Sequence, residues 1–283
     1  MKNRLAIYVI FMLLLMPMTV RGVRAHDSIA APETVRGVQD GRSPAKNGEA
    51  APAWSNILTV QVGTDIGGAI PVPFSYIPDV FVPTPKVLPN VGVRYGIVLP
   101  KGWSLGAEVN YKHVEMAADA IVLNMRASLP GMGADGADMV QYFSGRASMD
   151  MAFDIMEVPV YVRYRFNGRG GHNILFGGYG AWVISSRFTN DPVNGFIGSD
   201  PNEVDMIVTP EAQIPADQKD FSRYMSKWDA GLLVGYENSF FKRIRVGLRL
   251  SVGLKDIFNV KVLEYKMLQM RGTITLSYDL WHF

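Results

Sequence analysis

Histidine and cysteine are the residues that most often mark a catalytic or metal site, and this chain has few of them. Cysteine is absent, which excludes a thiolate nucleophile, a disulfide and a lipidated N-terminal Cys. The histidines are His26, His113, His172 and His282. An enzyme needs a nucleophile or an activated water beside a positioned base. Ser and Asp residues lie in the predicted loops near His113, but no spacing links them to it. We therefore predict no enzymatic activity, no metal site and no cofactor.

A cluster of acidic residues is the second feature that could bind a ligand. The segment around residues 191–220 carries Asp191, Asp200, Glu203, Asp205, Glu211, Asp217 and Asp220 against Arg187 and Lys219. Carboxylates bind Ca²⁺, but these lack the regular ligand spacing of a known calcium loop. We expect a solvated, repulsive outer surface. Gly168 and the Gly170-Gly171 pair predict a turn, because the strand-to-helix context of a phosphate loop is missing.

Alternation of apolar and polar residues predicts the elements that would position any site. In the run 243–255 every second residue is apolar, namely Ile244, Val246, Leu248, Leu250, Val252 and Leu254. A period of two places one face in lipid or core and the other in a polar space. The run is longer than the roughly 5 to 6 residues of soluble strands and suits the roughly 9 to 11 of a tilted membrane strand. Its length and an export signal favour a membrane barrel over a secreted sandwich.

The N-terminus has the features of an export signal. Lys2 and Arg4 precede an apolar stretch from Leu5 to Met16, and Val23-Arg24-Ala25 offers small residues where a signal peptidase reads. The stretch falls short of the about 20 residues of a spanning helix. Removing the signal takes four basic residues and no acidic one, which leaves 24 basic residues against 26 acidic ones. Nucleic acid is therefore not an expected partner.

The domain organisation follows from these signals. We predict a signal peptide at residues 1–25, a flexible periplasmic lead-in at 26–53 and an outer-membrane β-barrel at 54–283. The predicted strands are 57–66, 87–99, 103–113, one ending at 157–166, 173–186, 227–238, 243–255 and 270–280. The barrel is thus all-β, closed and antiparallel, with about eight strands and both termini in the periplasm.

Link lengths predict which side of the membrane each loop occupies. Short links at 100–102, 167–172 and 238–242 alternate with long ones at 67–86, 114–149, 187–225 and 256–268. Short periplasmic turns and long extracellular loops are typical of such barrels. Prolines should keep the first long loop out of the sheet. The second should extend its hairpin above the membrane or form a short helix. Pro159 predicts a bulge or a local break in its ladder.

The polar strand faces predict a charged lumen. Its residues are Asp65, Arg94, Glu108, Lys112, Glu157, Arg163, Arg165, Asp229, Glu237, Arg245, Arg249 and Lys255. About eight strands enclose a space just wide enough for side chains to fill. We therefore predict a packed, ion-paired interior with a structural role. If a water path exists, the Arg-rich seventh strand would favour anions.

Four segments resemble the PorT-type outer-membrane β-barrel family. They are Glu157-Val158-Pro159-Val160-Tyr161-Val162-Arg163-Tyr164, Gly177–Trp182, Trp228–Gly235 and Gly247–Ile257, and their order and spacing carry the resemblance. It covers roughly residues 57–283. The resemblance implies a small antiparallel outer-membrane barrel and, for most members, no activity; one member type serves protein secretion.

The C-terminus departs from the usual pattern of alternate apolar residues before a terminal aromatic. Counting back from Phe283, Trp281 fits the pattern, but Asp279, Ser277 and Thr275 do not. Counting back from Leu280 gives an unbroken apolar face. We predict that the strand proper ends near Leu280 and that the last three residues form a short extension or follow a bulge.

These observations predict a non-enzymatic outer-membrane barrel of a Gram-negative cell. It would act as a structural or interaction scaffold that displays loops outside or supports an envelope or secretion assembly. A small-solute, anion-favouring, porin-like pore is the alternative. The expected partners are outer-membrane lipid, the barrel assembly machinery and other envelope proteins.

Overall fold

Antiparallel strands make up most of the structure. The computed structural model describes residues 54–166, 171–212, 214–241 and 243–283. The strands are β1 (Ser55–Val72), β2 (Val80–Pro85), β3 (Leu88–Val98), β4 (Trp103–Leu129), β5 (Met139–Arg165), β6 (Gly171–Gly198), β7 (Met206–Val208), β8 (Trp228–Ser239), β9 (Ile244–Asp256) and β10 (Lys266–His282). The predicted signal peptide, the lead-in with His26, and Gly168 and Gly170 of the predicted turn lie outside the described residues.

Eight of these strands close into a ring. The ring order is β1-β3-β4-β5-β6-β8-β9-β10, and β10 pairs again with β1. Closure leaves no backbone edge in lipid, which is why a strand structure can span a membrane. The prediction of a closed antiparallel barrel of eight strands with short periplasmic turns is confirmed. In the part of the chain that the structure describes, no helix is long and apolar enough to cross a bilayer.

Three strands are much longer than their patterns predicted. The stretches 114–149 and 187–225 were expected to be mainly loop, yet β4 continues to Leu129, β5 begins at Met139 and β6 continues to Gly198. The expectation that 114–149 extends its hairpin is therefore correct. The prediction that prolines exclude the first loop from the sheet is wrong, because β2 pairs with β4. An edge strand tolerates proline, since its unpaired side needs no N–H donor.

Two predicted irregularities have different outcomes. Pro159 keeps its register, so it makes no bulge, but the β4–β5 ladder skips two residues on each strand between Ala107↔Val160 and Asn110↔Glu157. The local break is thus confirmed. At the C-terminus, Leu58 pairs with Trp281 and Thr59 pairs with Asp279, which leaves Leu280 as an extra residue on β10. The predicted bulge lies there, and the last residues follow it.

The barrel has two tiers that differ in what faces inward. In the membrane tier, next to the periplasmic turns, most inward side chains are polar and the outward ones are apolar; an apolar patch of Leu175, Ala181 and Leu233 lies on the inward face of β6 and β8. In the extracellular tier the inward side chains are mainly apolar, and the outward ones include polar residues as well as exposed apolar residues such as Ile121. On β4, inward Glu108 and Lys112 are followed by Val114 and Met116, whereas the outward face that carries Val109 continues with the polar residues His113, Glu115 and Asp119. The tiers therefore meet between residues 112 and 113 on this strand.

The upper end of β1 bends inward, toward β4 and β5. A Cβ atom on Gly68 would lie 3.1 Å from the Met116 side chain of β4, so a larger residue there would have to displace that side chain. The next residue, Ala69, is fully buried and its N–H lies 3.2 Å from the sulfur of Met151 on β5. The upper end of β1 thus contacts β4 and β5 while it stays paired with β10.

Candidate functional site: the charged lumen and its outer seal

Charged side chains fill the lumen of the membrane tier. The buried ones among the described residues are six cations and six anions: Arg94, Lys112, Arg163, Arg245, Arg249, Arg271, Asp65, Glu108, Glu157, Asp229, Glu237 and Asp279. Alternation along each strand places them, because every second side chain points into the ring. A buried charge is tolerated only when it is paired and hydrogen-bonded.

The lower layer of the network is centred on Glu108 and Glu237. Both Nη atoms of Arg249 lie 2.6 Å from the carboxylate oxygens of Glu108. Arg94 bridges the two acids, at 2.7 Å from Glu108 and 2.6 Å from Glu237. Tyr161 donates a 2.6 Å hydrogen bond to Glu108, and its ring contacts both guanidinium groups. Such forked, charge-assisted bonds are the strong class of hydrogen bond and fix the orientation of each group.

Glycine on β9 provides the space for this layer. A Cβ atom on Gly247 would lie 3.2 Å from Cγ of Glu237 and 2.6 Å from Oγ1 of Thr275. Gly247 is paired with Glu237 across the β8–β9 ladder. The alternation of Arg245, Gly247 and Arg249 therefore presents two guanidinium groups with room for an acid between them.

The upper layer is a second, separate set of ion pairs. Lys112 bridges two acids, at 3.2 Å from Asp65 and 2.8 Å from Glu157. Arg271 donates a 2.6 Å hydrogen bond to Glu157, and Asn90 donates one of the same length to Asp65. The side chains come from β1, β3, β4, β5 and β10. The layer therefore ties together strands from opposite parts of the ring.

The space left in the lumen is small. A cavity beside Arg94, Arg163 and Arg245 has a volume of about 10 Å³, which is room for about one water molecule. Some buried polar atoms have no partner among the described residues, including Nε and Nη1 of Arg271 and Oδ1 of Asp229. Buried orphan atoms of this kind are where ordered water binds.

Two predicted lumen residues lie outside the network. Arg165 is exposed at the periplasmic end of β5, because the strand ends there and the lumen opens to solvent. Lys255 lies at the top of β9, where it donates a 2.6 Å hydrogen bond to Ser226 and packs 3.7 Å from the ring centre of Trp228. It sits above the ion-paired layers, so its partners are a hydroxyl and an aromatic ring.

Two lumen residues were missed by the sequence prediction. Arg271 and Asp279 face inward on β10, and Asp279 forms an ion pair with Arg245. The alternation of β10 contains the signal, since both residues are an even number of positions from inward Thr275. They were not predicted because only the apolar face of the C-terminal strand was considered, and its polar face was not assigned to the lumen.

An apolar cluster seals the lumen on the extracellular side. Wall residues Met151, Phe153 and Ile155 of β5 are at most 2% exposed. They pack against side chains from the β7–β8 and β9–β10 loops: Phe221, Tyr224, Met225, Ile257, Phe258, Val262 and Leu263. The cluster contains no charged side chain, so it separates the ion-paired lumen from the outside.

Cross-strand neighbours bring His113 together with an acid and a hydroxyl. On the outer surface above the membrane tier, His113 Nδ1 lies 2.6 Å from Asp154 Oδ1, and Ser185 donates a hydrogen bond to the other oxygen of Asp154. The hydrogen bond from Ser185 lowers the pKa of Asp154. No spacing in the sequence predicts this group, because its members are joined only by the β4–β5–β6 register.

The order of these three groups decides their chemistry. In a catalytic triad the imidazole lies between the hydroxyl and the carboxylate and accepts the proton of the hydroxyl. Here Asp154 lies between His113 and Ser185 and also accepts a 3.0 Å hydrogen bond from Tyr111. The acid therefore holds three donors in place, and the serine has no base in the position that a nucleophile requires.

The acid-rich segment forms local contacts on the extracellular surface. Lys219 pairs with Asp191 at 2.7 Å, and Asp205 accepts a 2.6 Å hydrogen bond from the N–H of Ser199. Across the described residues, no group of three or more His, Asp or Glu side chains is arranged to hold a metal ion.

The geometry is that of an outer-membrane barrel, and sequence comparison agrees. The profile of the outer membrane protein β-barrel domain family matches residues 60–259. The chain belongs to this family. Its location is the outer membrane. The match does not separate a PorT type from the rest, so that resemblance stays a prediction. A search of curated proteins gives no match.

Solved structures similar to this chain are distant outer-membrane barrels. Ail, the attachment invasion locus protein of Yersinia pestis, is 10% identical over 81% of this chain and 98% of its own, with a TM-score of 0.37. Neisserial surface protein A is 11% identical over 79% and 97%, with a TM-score of 0.33. The translocator domain of the autotransporter NalP from Neisseria meningitidis is 8% identical over 82% and 90%, with a TM-score of 0.26. Identities and TM-scores this low do not indicate an activity for this chain.

Proposed function

We propose that this protein is a non-enzymatic, non-conducting scaffold that holds the extracellular tier above the outer membrane for interaction with other envelope components. The observation that carries the proposal is the double closure of the barrel. Two ion-paired layers occupy the lumen, and an apolar cluster covers them from outside. A solute would have to disrupt both the ion-paired layers and the apolar cluster to cross the barrel.

Charge balance supports a scaffold over an anion-favouring pore. An anion-selective path needs an excess of unpaired cations along its wall. The lumen instead buries equal numbers of cations and anions among the described residues, and both Arg245 and Arg249 are committed to acids. The arginines of β9 that suggested anion selectivity are thus components of the packing.

The outer surface of the extracellular tier offers an interaction surface. Val80 and Ile121 are paired on β2 and β4 and are 46% and 47% exposed. Phe196 and Ile207 are paired on β6 and β7 and are 49% and 64% exposed. Exposed apolar side chains outside the lipid are typical of surfaces that bind other proteins. Outer-membrane lipid, the assembly machinery and a partner in an envelope or secretion assembly are the partners we propose.

Conductance separates the scaffold from the pore. Purified protein inserted into planar bilayers should show negligible current, because side chains leave no continuous water path. The current is also measured for Arg245→Gln and Arg249→Gln, which change the lumen. Arg165→Gln, at the periplasmic end, is the control. Steady anion-selective current in the wild type that the first two changes abolish and the control retains would establish the pore and refute the scaffold.

Crosslinking in intact cells tests the interaction half of the proposal. A photoreactive residue at Ile121 or Ile207, on the extracellular tier, should yield protein adducts. The same residue at Val160, which is 59% exposed on the lipid-facing side of the membrane tier, should yield none. Equal adducts at all three positions would indicate nonspecific capture, and their absence at both extracellular positions would contradict an interaction surface there.

A further inference from the structure

The interior of the extracellular tier contains a cavity that the proposed scaffold role does not explain. It has a volume of about 50 Å³ and lies between the inward faces of β4 and β5 and the ends of β1 and β10. Three alanines of the inward wall create the space: Ala118 and Ala147 are buried, Ala120 is partly buried, and inward positions elsewhere hold larger side chains. A well-packed core would fill such positions.

The side chains around this cavity favour an uncharged, aromatic occupant. None of the lining residues is charged, so an ion would lose its hydration without compensation. Phe81, Phe188 and Phe258 offer aromatic edges and faces, which prefer offset or edge-to-face contact with another ring. Met125 and Met149 offer polarisable sulfur atoms that also pack well against aromatic rings.

One polar group at the cavity lacks a strong partner. The hydroxyl of Tyr265 has its nearest partner among the described residues at Met125, whose sulfur lies 3.8 Å away. A thioether sulfur is a weak acceptor. Burial raises the pKa of Tyr265 to about 12, so the hydroxyl keeps its proton and remains a donor at physiological pH. Tyr265 is partly buried, and a hydroxyl donor of this kind gains more from an oxygen acceptor than from a thioether.

We propose that this cavity binds a small, neutral aromatic molecule with one oxygen acceptor, of the phenol class. The ring would lie among the phenylalanines and methionines, and its oxygen would accept the hydrogen bond of Tyr265. An apolar cavity of about 150 Å³ holds benzene, so a ring requires the space to widen. Met125, Met149 and Met267 line it and can do so by changing rotamer. The site is independent of the scaffold role, since it needs neither a protein partner nor a conducting path.

Methionine methyl groups provide the direct test. Protein labelled with ¹³C at the methionine methyls is refolded into lipid nanodiscs and titrated with phenol. Saturable shifts are expected at Met125, Met149 and Met267. Met156 faces lipid in the membrane tier and is 37% exposed, so it reports phenol that has only dissolved in the bilayer. Shifts at Met156 with none at the three cavity methionines would overturn the proposal.

Matched variants localise the binding. Ala120→Leu fills the cavity and should abolish the saturable shifts, whereas Ala117→Leu, the same change on the outward face of β4, should retain them. Tyr265→Phe should weaken phenol binding by roughly 3- to 10-fold, the worth of one neutral hydrogen bond, and should leave toluene binding unchanged. Circular dichroism melting verifies that each variant folds. Phenol binding that survives Ala120→Leu in a folded barrel would place the ligand elsewhere and refute the site.

Discussion

The membrane tier and the extracellular tier are built from the same strands, yet they put opposite residues inside. On β5, inward Arg163 and Glu157 are followed by Ile155 and Phe153, without any change in the period of two. What changes is the surroundings. Lipid lies outside the first tier, so apolar side chains face outward and polar ones are left for the lumen. Water lies outside the second, so burial of apolar side chains drives its packing.

The two tiers therefore depend on different forces. In the membrane tier apolar residues gain little by facing inward rather than lipid, and the interior is held by paired charges. In the extracellular tier the interior is held by the removal of apolar surface from water. Substitutions of matched size should consequently have unequal effects in the two places.

The largest effect is expected from breaking an ion pair in the lumen. Arg249→Leu removes the bidentate hydrogen-bond partner of the buried Glu108 carboxylate. Losing one member of a buried ion pair lowers the free energy of unfolding by about 3–5 kcal/mol. The unfolding temperature measured by circular dichroism should fall clearly. Binding by the outer loops should persist as long as the barrel is folded.

The control for this variant is Arg165→Leu, which removes an arginine that is exposed at the end of the same barrel. Its unfolding temperature should stay close to that of the wild type. Binding lost in Arg249→Leu at unchanged stability would instead mean that the lumen takes part in function.

A smaller effect is expected from trimming one methionine in each tier. Met151→Ala opens a cavity in the extracellular core, where the side chain is 1% exposed, and should cost about 2 kcal/mol or more. Met156→Ala, five residues along the same strand, faces lipid, whose chains can fill the space, and should cost under about 1 kcal/mol. Unfolding in urea measures both, and equal losses would show that the tiers do not differ as described.

The membrane tier was well predicted from the sequence, because a long run with a period of two is typical of a strand with one apolar face. Strand number, closure and most lumen residues followed from alternation in runs such as 243–255. The extracellular tier was predicted only in part, as a hairpin extension or a short helix in 114–149, because Ala, Met and Gly in residues 116–139 weaken the contrast between faces. The register that joins His113, Asp154 and Ser185 also depends on pairing between distant strands, including a bulge between Asp154 and Ile155 in the β5–β6 ladder.

The inversion of polarity along a strand is tested most directly by cysteine accessibility. The natural chain has no Cys, so each single substitution is the sole reactive thiol. Cysteines at Val109, Leu248 and Leu250, in the membrane tier, should react only with lipid-soluble maleimides. Cysteines at Glu115 and Asp119, on the same face of β4 as Val109, should react with a membrane-impermeant maleimide on intact cells. Impermeant labelling at Leu248 or Leu250, or protection at both Glu115 and Asp119, would contradict the two-tier account.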